Sequence, residues 1–173
     1  MKKHLGLLLL LTLILSPSAW AKEMTSRLGV GYSNSFSLAA LPSVAVKYYS
    51  SKDISFSAAL GIDTNNNTSA STGTSSFGFG GKFYKTIFTE DNLNFYMGGG
   101  ASLVSSSATV AGTSSSTSGF ELSGFCGAEW FFPGLDSVGI NFQAGVGITS
   151  VSSGVRFRTI GDTPLSAGMY FYF

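Results

Sequence analysis

Apolar and polar residues alternate along most of the chain from residue 27 onward. The pattern is clearest between Val138 and Ile148, where Val, Ile, Phe and Ala occupy every second position and Gly, Asn and Gln lie between them. Successive side chains of a β-strand point to opposite faces, so a period of two predicts strands with one apolar face. Eight segments follow this pattern: Arg27–Phe36, Ser43–Tyr49, Ile54–Thr64, Ser75–Thr86, Leu93–Leu103, Gly119–Phe131, Val138–Ile148 and Leu165–Phe173.

The predicted connections alternate between short and long. Short turns follow the second, fourth and sixth strands, whereas polar loops at 65–74, 105–118 and 149–164 follow the third, fifth and seventh. Ten residues of strand tilted by about 45° cover roughly 23 Å of depth, close to the apolar thickness of an outer membrane. The pattern therefore predicts an all-β fold, an eight-stranded antiparallel up-and-down transmembrane β-barrel preceded by a cleavable signal helix.

The first 21 residues have the features of a secretory signal peptide. Lys2 and Lys3 provide a basic start, an 11-residue apolar run covers Leu5–Leu15, and Ala19-Trp20-Ala21 resembles a cleavage site. The apolar run is shorter than the roughly 20 residues that a membrane-spanning helix needs. We therefore expect residues 1–21 to be the signal peptide and residues 22–173 to form a barrel in the cell outer membrane.

Charged residues make up only 11% of the chain, where about a quarter is usual. Two of the ten basic residues lie in the predicted signal, so eight basic residues remain against nine acidic ones. This balance leaves no basic patch for nucleic acid. A secreted lipocalin-like barrel or β-sandwich would show the same alternation with its apolar face inside. The low charge favours lipid contact instead, as do aromatic residues near both ends of the strands: Phe36, Tyr48, Phe77, Phe83, Phe95, Phe120, Trp130 and Phe171.

Most charges within the predicted strands share the face opposite the apolar one. A cation on the lipid-facing side at the bilayer midplane costs about 2–4 kcal/mol, so we expect these side chains to point into the lumen and pair there. The predicted lumen charge network contains Arg27, Lys47, Asp63, Lys82, Glu121 and Glu129. Lys85 is predicted to lie on the apolar face near the interface, and the inward position of Phe125 does not fit the pattern.

The chain resembles the small eight-stranded outer-membrane barrels of the OmpA and OmpX type. The signal peptide, the strand count and the final Tyr170-Phe171-Tyr172-Phe173 carry the resemblance. We expect no appended periplasmic domain, which brings the resemblance nearer to the OmpX kind. In that family the barrel-assembly machinery recognises a C-terminal aromatic residue, so the resemblance implies that Phe173 is the assembly signal.

These features favour an integral outer-membrane protein with a structural or surface-interaction role. Its expected partners are outer-membrane lipid, the assembly machinery and extracellular molecules that touch loops 65–74, 105–118 and 149–164. The alternative is a narrow pore for ions or small solutes, because many inward positions are glycine. Catalysis is not expected: barrel proteases, phospholipases and lipid A-modifying enzymes generally use a histidine, and His4, in the signal, is the chain's single one. No catalytic, cofactor-binding or metal-binding residue is predicted.

Overall fold

The computed structural model describes residues 24–36, 41–67, 72–110, 112–151, 154–159 and 166–173. The predicted signal peptide and residues 160–165 lie outside the described residues. The described part contains nine β-strands: β1 (Leu28–Phe36), β2 (Leu41–Tyr49), β3 (Ile54–Asn67), β4 (Thr72–Glu90), β5 (Leu93–Val110), β6 (Thr113–Phe132), β7 (Leu135–Val151), β8 (Gly154–Thr159) and β9 (Ser166–Tyr172).

The nine strands close into a barrel of eight antiparallel positions. Consecutive strands pair from β1 to β7, and β9 pairs with both β7 and β1. β8 pairs with Val146–Val151 of β7, whereas β9 pairs with Val138–Gln143. Strands β8 and β9 therefore together form the eighth barrel strand. The predicted eight-stranded antiparallel barrel is confirmed.

The apolar face of the sheet points outward. Phe79 is 51% exposed and Leu103 is 61% exposed, whereas Lys47 and Glu121 on the other face are buried. Val138 shares the outward parity but is only 9% exposed, directly opposite the bulky Phe171. An exposed apolar belt around a polar interior is the arrangement that lipid requires. In the part of the chain that the structure describes, no helix has the length and apolar character needed to cross a membrane.

Among the residues that the structure describes, the predicted polar loops 65–74, 105–118 and 149–164 are largely paired strand, which corrects the prediction of loops there. Strands β5 and β6 pair as far as Val110 and Thr113, and β3 and β4 as far as Asn67 and Thr72. Serine and threonine side chains here bond one another across the strands, as in the Ser105–Ser118 contact of 3.0 Å between hydroxyl oxygens. A hydroxyl-rich sequence is therefore compatible with an extended hairpin, because the main-chain N–H and C=O groups form hydrogen bonds with the neighbouring strand.

Phe36 is buried inside the barrel, so its predicted position among the lipid-facing aromatic residues at the strand ends is wrong. The β1–β2 register shifts between Ser33 and Phe36: Ser33 pairs with Ser43, but Phe36 pairs with Leu41. Three steps along β1 thus match two along β2, which is a one-residue β-bulge. Such a bulge reverses the face of every later side chain. Phe36 is only 3% exposed as a result.

Short turns cluster at one end of the barrel, called here the short-turn end, and the long hairpins lie at the other, the hairpin end. At the short-turn end Lys85 Nζ lies 2.9 Å from Asp53 Oδ2, and both side chains are partly exposed. This pairing explains how a cation is tolerated on the apolar face. The turn between β6 and β7 contains Gly134 with φ of 77°, a left-handed conformation suited to glycine.

The outward belt makes a stability prediction at Val46, which points outward near the middle of β2. We expect Val46→Arg to lower the free energy of unfolding in lipid vesicles by about 2–4 kcal/mol, because it places a cation in the apolar belt. Urea titration followed by the fluorescence of Trp130 measures this change. Val46→Leu is the matched control, and equal stability of the two variants would contradict a lipid-facing position.

Candidate functional site

A buried ion pair crosses the lumen near the short-turn end. Lys47 Nζ of β2 lies 2.8 Å from Glu129 Oε2 of β6, and neither side chain is accessible to solvent. The Tyr49 hydroxyl donates to the same carboxylate oxygen, and the Tyr172 hydroxyl donates to Oε1 at 2.5 Å. The carboxylate thus accepts three hydrogen bonds. Enclosed charges are stable only when they are paired and hydrogen-bonded in this way.

Four tyrosine rings surround the Lys47 ammonium. Its Nζ lies 4.6 Å from the centroid of Tyr84, 5.1 Å from those of Tyr49 and Tyr96, and 5.9 Å from that of Tyr170. A cation over the face of an aromatic ring is attracted by its quadrupole. We call these four residues the tyrosine cage. It supplements the single carboxylate and excludes water from the charge.

Glycines make room for this arrangement. A Cβ atom at Gly29 would lie 2.5 Å from Cε1 of Tyr172, and one at Gly139 would lie 3.0 Å from Oε1 of Glu129. Both glycines are in strands that close the barrel, β1 and β7. The inward glycines noted in the sequence therefore accommodate bulky neighbours here rather than leaving open space.

A second charged group lies farther toward the hairpin end. Lys82 Nζ donates to Gln143 Oε1 at 2.9 Å and lies 5.2 Å from the centroid of Phe125, and the Lys82 ammonium also interacts electrostatically with the Glu121 carboxylate. The inward position of Phe125, which the sequence pattern did not explain, has its reason here. Gly98 lies opposite Phe125, and a Cβ atom on it would be 2.9 Å from the ring.

A small cavity of about 20 Å³ adjoins Lys82 and Glu121. Its walls include the hydroxyl-bearing Ser57, Ser102 and Ser123, and Phe36 lines it as well. This volume is close to the space that one water molecule requires. Leu41 is paired with Phe36 in the β1–β2 ladder and belongs to the same buried cluster. Both side chains lie against Gly78, where an added Cβ atom would be about 3.1 Å from each of them. Phe36 and Leu41 therefore occupy the lumen toward the hairpin end.

The structure separates the six residues of the predicted charge network. Lys47 and Glu129 form an ion pair, and Lys82 lies near Glu121, all four inside the barrel. Arg27 lies at the short-turn end, where its guanidinium donates to the main-chain oxygen of Asp136 at 3.2 Å. Asp63 is exposed toward the hairpin end, opposite Ser76.

The lumen charge network predicted from the sequence does not include the tyrosines. The signal was available, because Tyr49, Tyr84, Tyr96, Tyr170 and Tyr172 all share the parity of the charges. Gln143 was missed as a partner of Lys82. Phe173, the expected assembly signal, is 74% exposed, and its main chain pairs with that of Leu28.

The charged and tyrosine side chains in the lumen bond to one another and fill the space between the strands. Among the described residues, no group of three or more His, Cys, Asp or Glu side chains could hold a metal ion. Cys126 is a free thiol on the outward face, away from the lumen groups. The arrangement therefore joins opposite walls of the barrel through charge and hydroxyl contacts.

Comparison with known proteins identifies the fold. No protein-family model and no curated protein matches this sequence. Among solved structures, the N-terminal β-barrel domain of Pseudomonas aeruginosa OprF is similar to this chain, with a TM-score of 0.52 at 9% sequence identity. The match covers 87% of this chain and 100% of the OprF domain. Neisserial surface protein A has a TM-score of 0.51 at 19% identity, covering 85% and 94%. Ail, the attachment invasion locus protein of Yersinia pestis, has a TM-score of 0.51 at 13% identity, covering 87% and 100%.

These similarities are at the level of fold. All three proteins are small eight-stranded outer-membrane barrels, and this chain has the same architecture over most of its length. The resemblance inferred from the sequence is confirmed to that extent.

The ion pair makes a prediction about stability. We expect Glu129→Leu to lower the free energy of unfolding by about 3–5 kcal/mol, because it leaves the Lys47 charge buried without its carboxylate. The double variant Lys47→Met/Glu129→Gln should cost much less, since it removes the charge, keeps a carbonyl oxygen that accepts from one tyrosine hydroxyl and places an amide NH2 beside the other hydroxyl oxygen. Equilibrium unfolding in lipid vesicles compares them. A single variant no less stable than the double one would show that the charge is not enclosed.

Proposed function

We propose that this chain is an integral outer-membrane β-barrel protein with a structural or surface-interaction role and no catalytic activity. The observation that carries the proposal is the Lys47–Glu129 pair, sealed inside a wall whose outer face is apolar. A soluble barrel would place its apolar residues inside and its charges outside. Inverting that order is favourable only where the outside is lipid.

The lumen geometry favours a plugged barrel over the alternative of a narrow pore. The tyrosine cage fills the lumen near the short-turn end, and Phe36 and Leu41 lie within it toward the hairpin end. The cavity lined by Phe36, Lys82 and Glu121 is about the size of one water molecule. Conduction would require both groups to move and the Lys47–Glu129 pair to separate. The barrel then serves as a membrane anchor.

The hairpin end supplies the surface for interaction. Strands β3 to β6 continue past the apolar belt as paired, hydroxyl-rich hairpins. In outer-membrane barrels the short turns face the periplasm, and with that orientation these hairpins lie outside the cell. In this proposal the extracellular contacts of 65–74 and 105–118 are made by a sheet rather than by loops. Outer-membrane lipid surrounds the belt, and the barrel-assembly machinery recognises Phe173 during insertion.

Location is tested by fractionating cells that produce the full chain with its signal peptide. We expect the protein in the outer-membrane fraction, extracted only by detergent, because the apolar belt needs an amphiphile around it. Unheated samples should also migrate differently from boiled ones on denaturing gels, since a closed barrel resists unfolding by detergent. Recovery in the soluble periplasmic fraction would overturn the proposal.

Conduction and catalysis are tested with purified protein. In planar lipid bilayers we expect no reproducible conductance steps, because the tyrosine cage and the Phe36 and Leu41 side chains occupy the lumen. Stable steps of one size would favour the pore instead.

Incubation with labelled lipid A and phospholipid should leave both substrates unchanged, and a product that depends on protein concentration would contradict the absence of catalysis.

A further inference from the structure

The ladder between β1 and β9, called here the seam, closes the barrel and is short. Gly29–Ser33 of β1 pair with Gly168–Tyr172 of β9, which makes five residue pairs, and the main chains of Leu28 and Phe173 exchange two further hydrogen bonds. The β3–β4 ladder, by contrast, contains fourteen residue pairs. Because the free energy of opening a strand pair rises with the contacts that hold it, we expect the barrel to open first at the seam.

The lumen face of β1 gives the seam little side-chain support. Gly29 and Gly31 both have the inward parity, and both lie directly against β9. A Cβ atom at Gly31 would overlap the main-chain oxygen of Met169, and one at Gly29 would lie 2.5 Å from Cε1 of Tyr172. The Tyr172 ring therefore covers the seam from inside, at positions where β1 has no bulky side chain of its own.

The Glu129 carboxylate binds strands on both sides of β1. In the order of the sheet, β2 and β9 flank β1. On the β2 side, Lys47 Nζ lies 2.8 Å from Oε2, and the Tyr49 hydroxyl donates to the same oxygen. On the β9 side, the Tyr172 hydroxyl donates to Oε1 at 2.5 Å. One buried carboxylate of β6 thus joins β2 to β9 inside the lumen, and the seam lies between the two strands that it joins.

We propose that Glu129 holds the β1–β9 seam closed by binding β2 and β9 at once, with the Tyr172 hydroxyl as its contact to β9. When the seam parts, β1 stays with β2, with which it has seven residue pairs, and β9 moves away from both. The carboxylate must then release one set of donors. This release is unfavourable, because a buried carboxylate that loses a donor keeps the full cost of its desolvation. Closure of the barrel and enclosure of the Lys47–Glu129 pair therefore occur together.

The test measures amide hydrogen exchange by NMR, residue by residue, in the mature barrel in lipid nanodiscs. Tyr172→Phe keeps the ring and removes the hydroxyl. We expect it to speed exchange of the seam amides, at residues 29–33 and 168–172, by about tenfold or more. The amides of Phe79 and Leu103 in the β4–β5 ladder are the internal reference, because opening of the whole barrel would raise their rates equally. The heat-dependent gel shift confirms that the variant is folded.

Tyr49→Phe is the matched control for the loss of the hydroxyl. It removes the same group from the same carboxylate, but the Lys47 ammonium still binds Glu129 from β2. Both strands that flank β1 therefore remain joined. We expect the seam amides of this variant to exchange at close to the rate of the unmodified barrel.

A disulfide across the seam is the second control. Tyr32 and Met169 lie opposite each other in the β1–β9 ladder, and both side chains point outward, away from the lumen. The variant Tyr32→Cys/Met169→Cys, made with Cys126→Ala, therefore places a cross-link there without changing the carboxylate or its donors. In the oxidised form, Tyr172→Phe should no longer speed exchange of the seam amides.

The inference fails on any of three results: unchanged seam exchange in Tyr172→Phe, an equal rise in the two single variants, or a rise that persists when the disulfide locks the seam. None of these bears on the proposed function, because location and conductance are measured separately. Conversely, recovery of the protein in the soluble fraction would end the proposed function and leave the seam measurement interpretable.

Discussion

A β-sheet in lipid has no water to hydrate its edges, so the main-chain groups of its outer strands must find partners within the sheet. The seam between β1 and β9 meets this requirement through five residue pairs, from Gly29–Tyr172 to Ser33–Gly168. Once the sheet is closed, its two faces are no longer equivalent: one surrounds a narrow interior and the other contacts the membrane. The apolar residues must take the outer face, and the distribution of every other side chain follows from that.

Closure with eight strands leaves an interior only wide enough for side chains. The charges excluded from the outer face must share this space, and they are tolerated because Lys47 reaches Glu129 across the lumen. The tyrosines serve this arrangement twice, through their hydroxyls on the carboxylate and through their rings around the ammonium. Glycines opposite the largest rings supply the remaining space, so an interior rich in glycine is nevertheless filled.

Beyond the apolar belt the constraint is relaxed, because water can satisfy an open edge. Among the described residues, the sheet there continues as paired strands without closing, and β6 extends beyond its last pair with β7. The same physical rule thus accounts for both ends of the molecule: closure where lipid surrounds the strands, and an open, hydroxyl-rich sheet where solvent does.

The sequence by itself determined the strand period, the closed antiparallel sheet and the inward parity of Lys47, Lys82, Glu121 and Glu129, because a period of two and the cost of charge in lipid are local properties. Only the tertiary structure decided which charges meet, since the partner of Lys47 is 82 residues away and depends on the circumference of the closed barrel. It also decided the face of Phe36, because one extra residue in a ladder leaves no mark in the alternation. The extension of the hairpins was hidden for a related reason: serine and threonine suit a loop and a paired strand equally, and only the neighbouring strand determines which one forms.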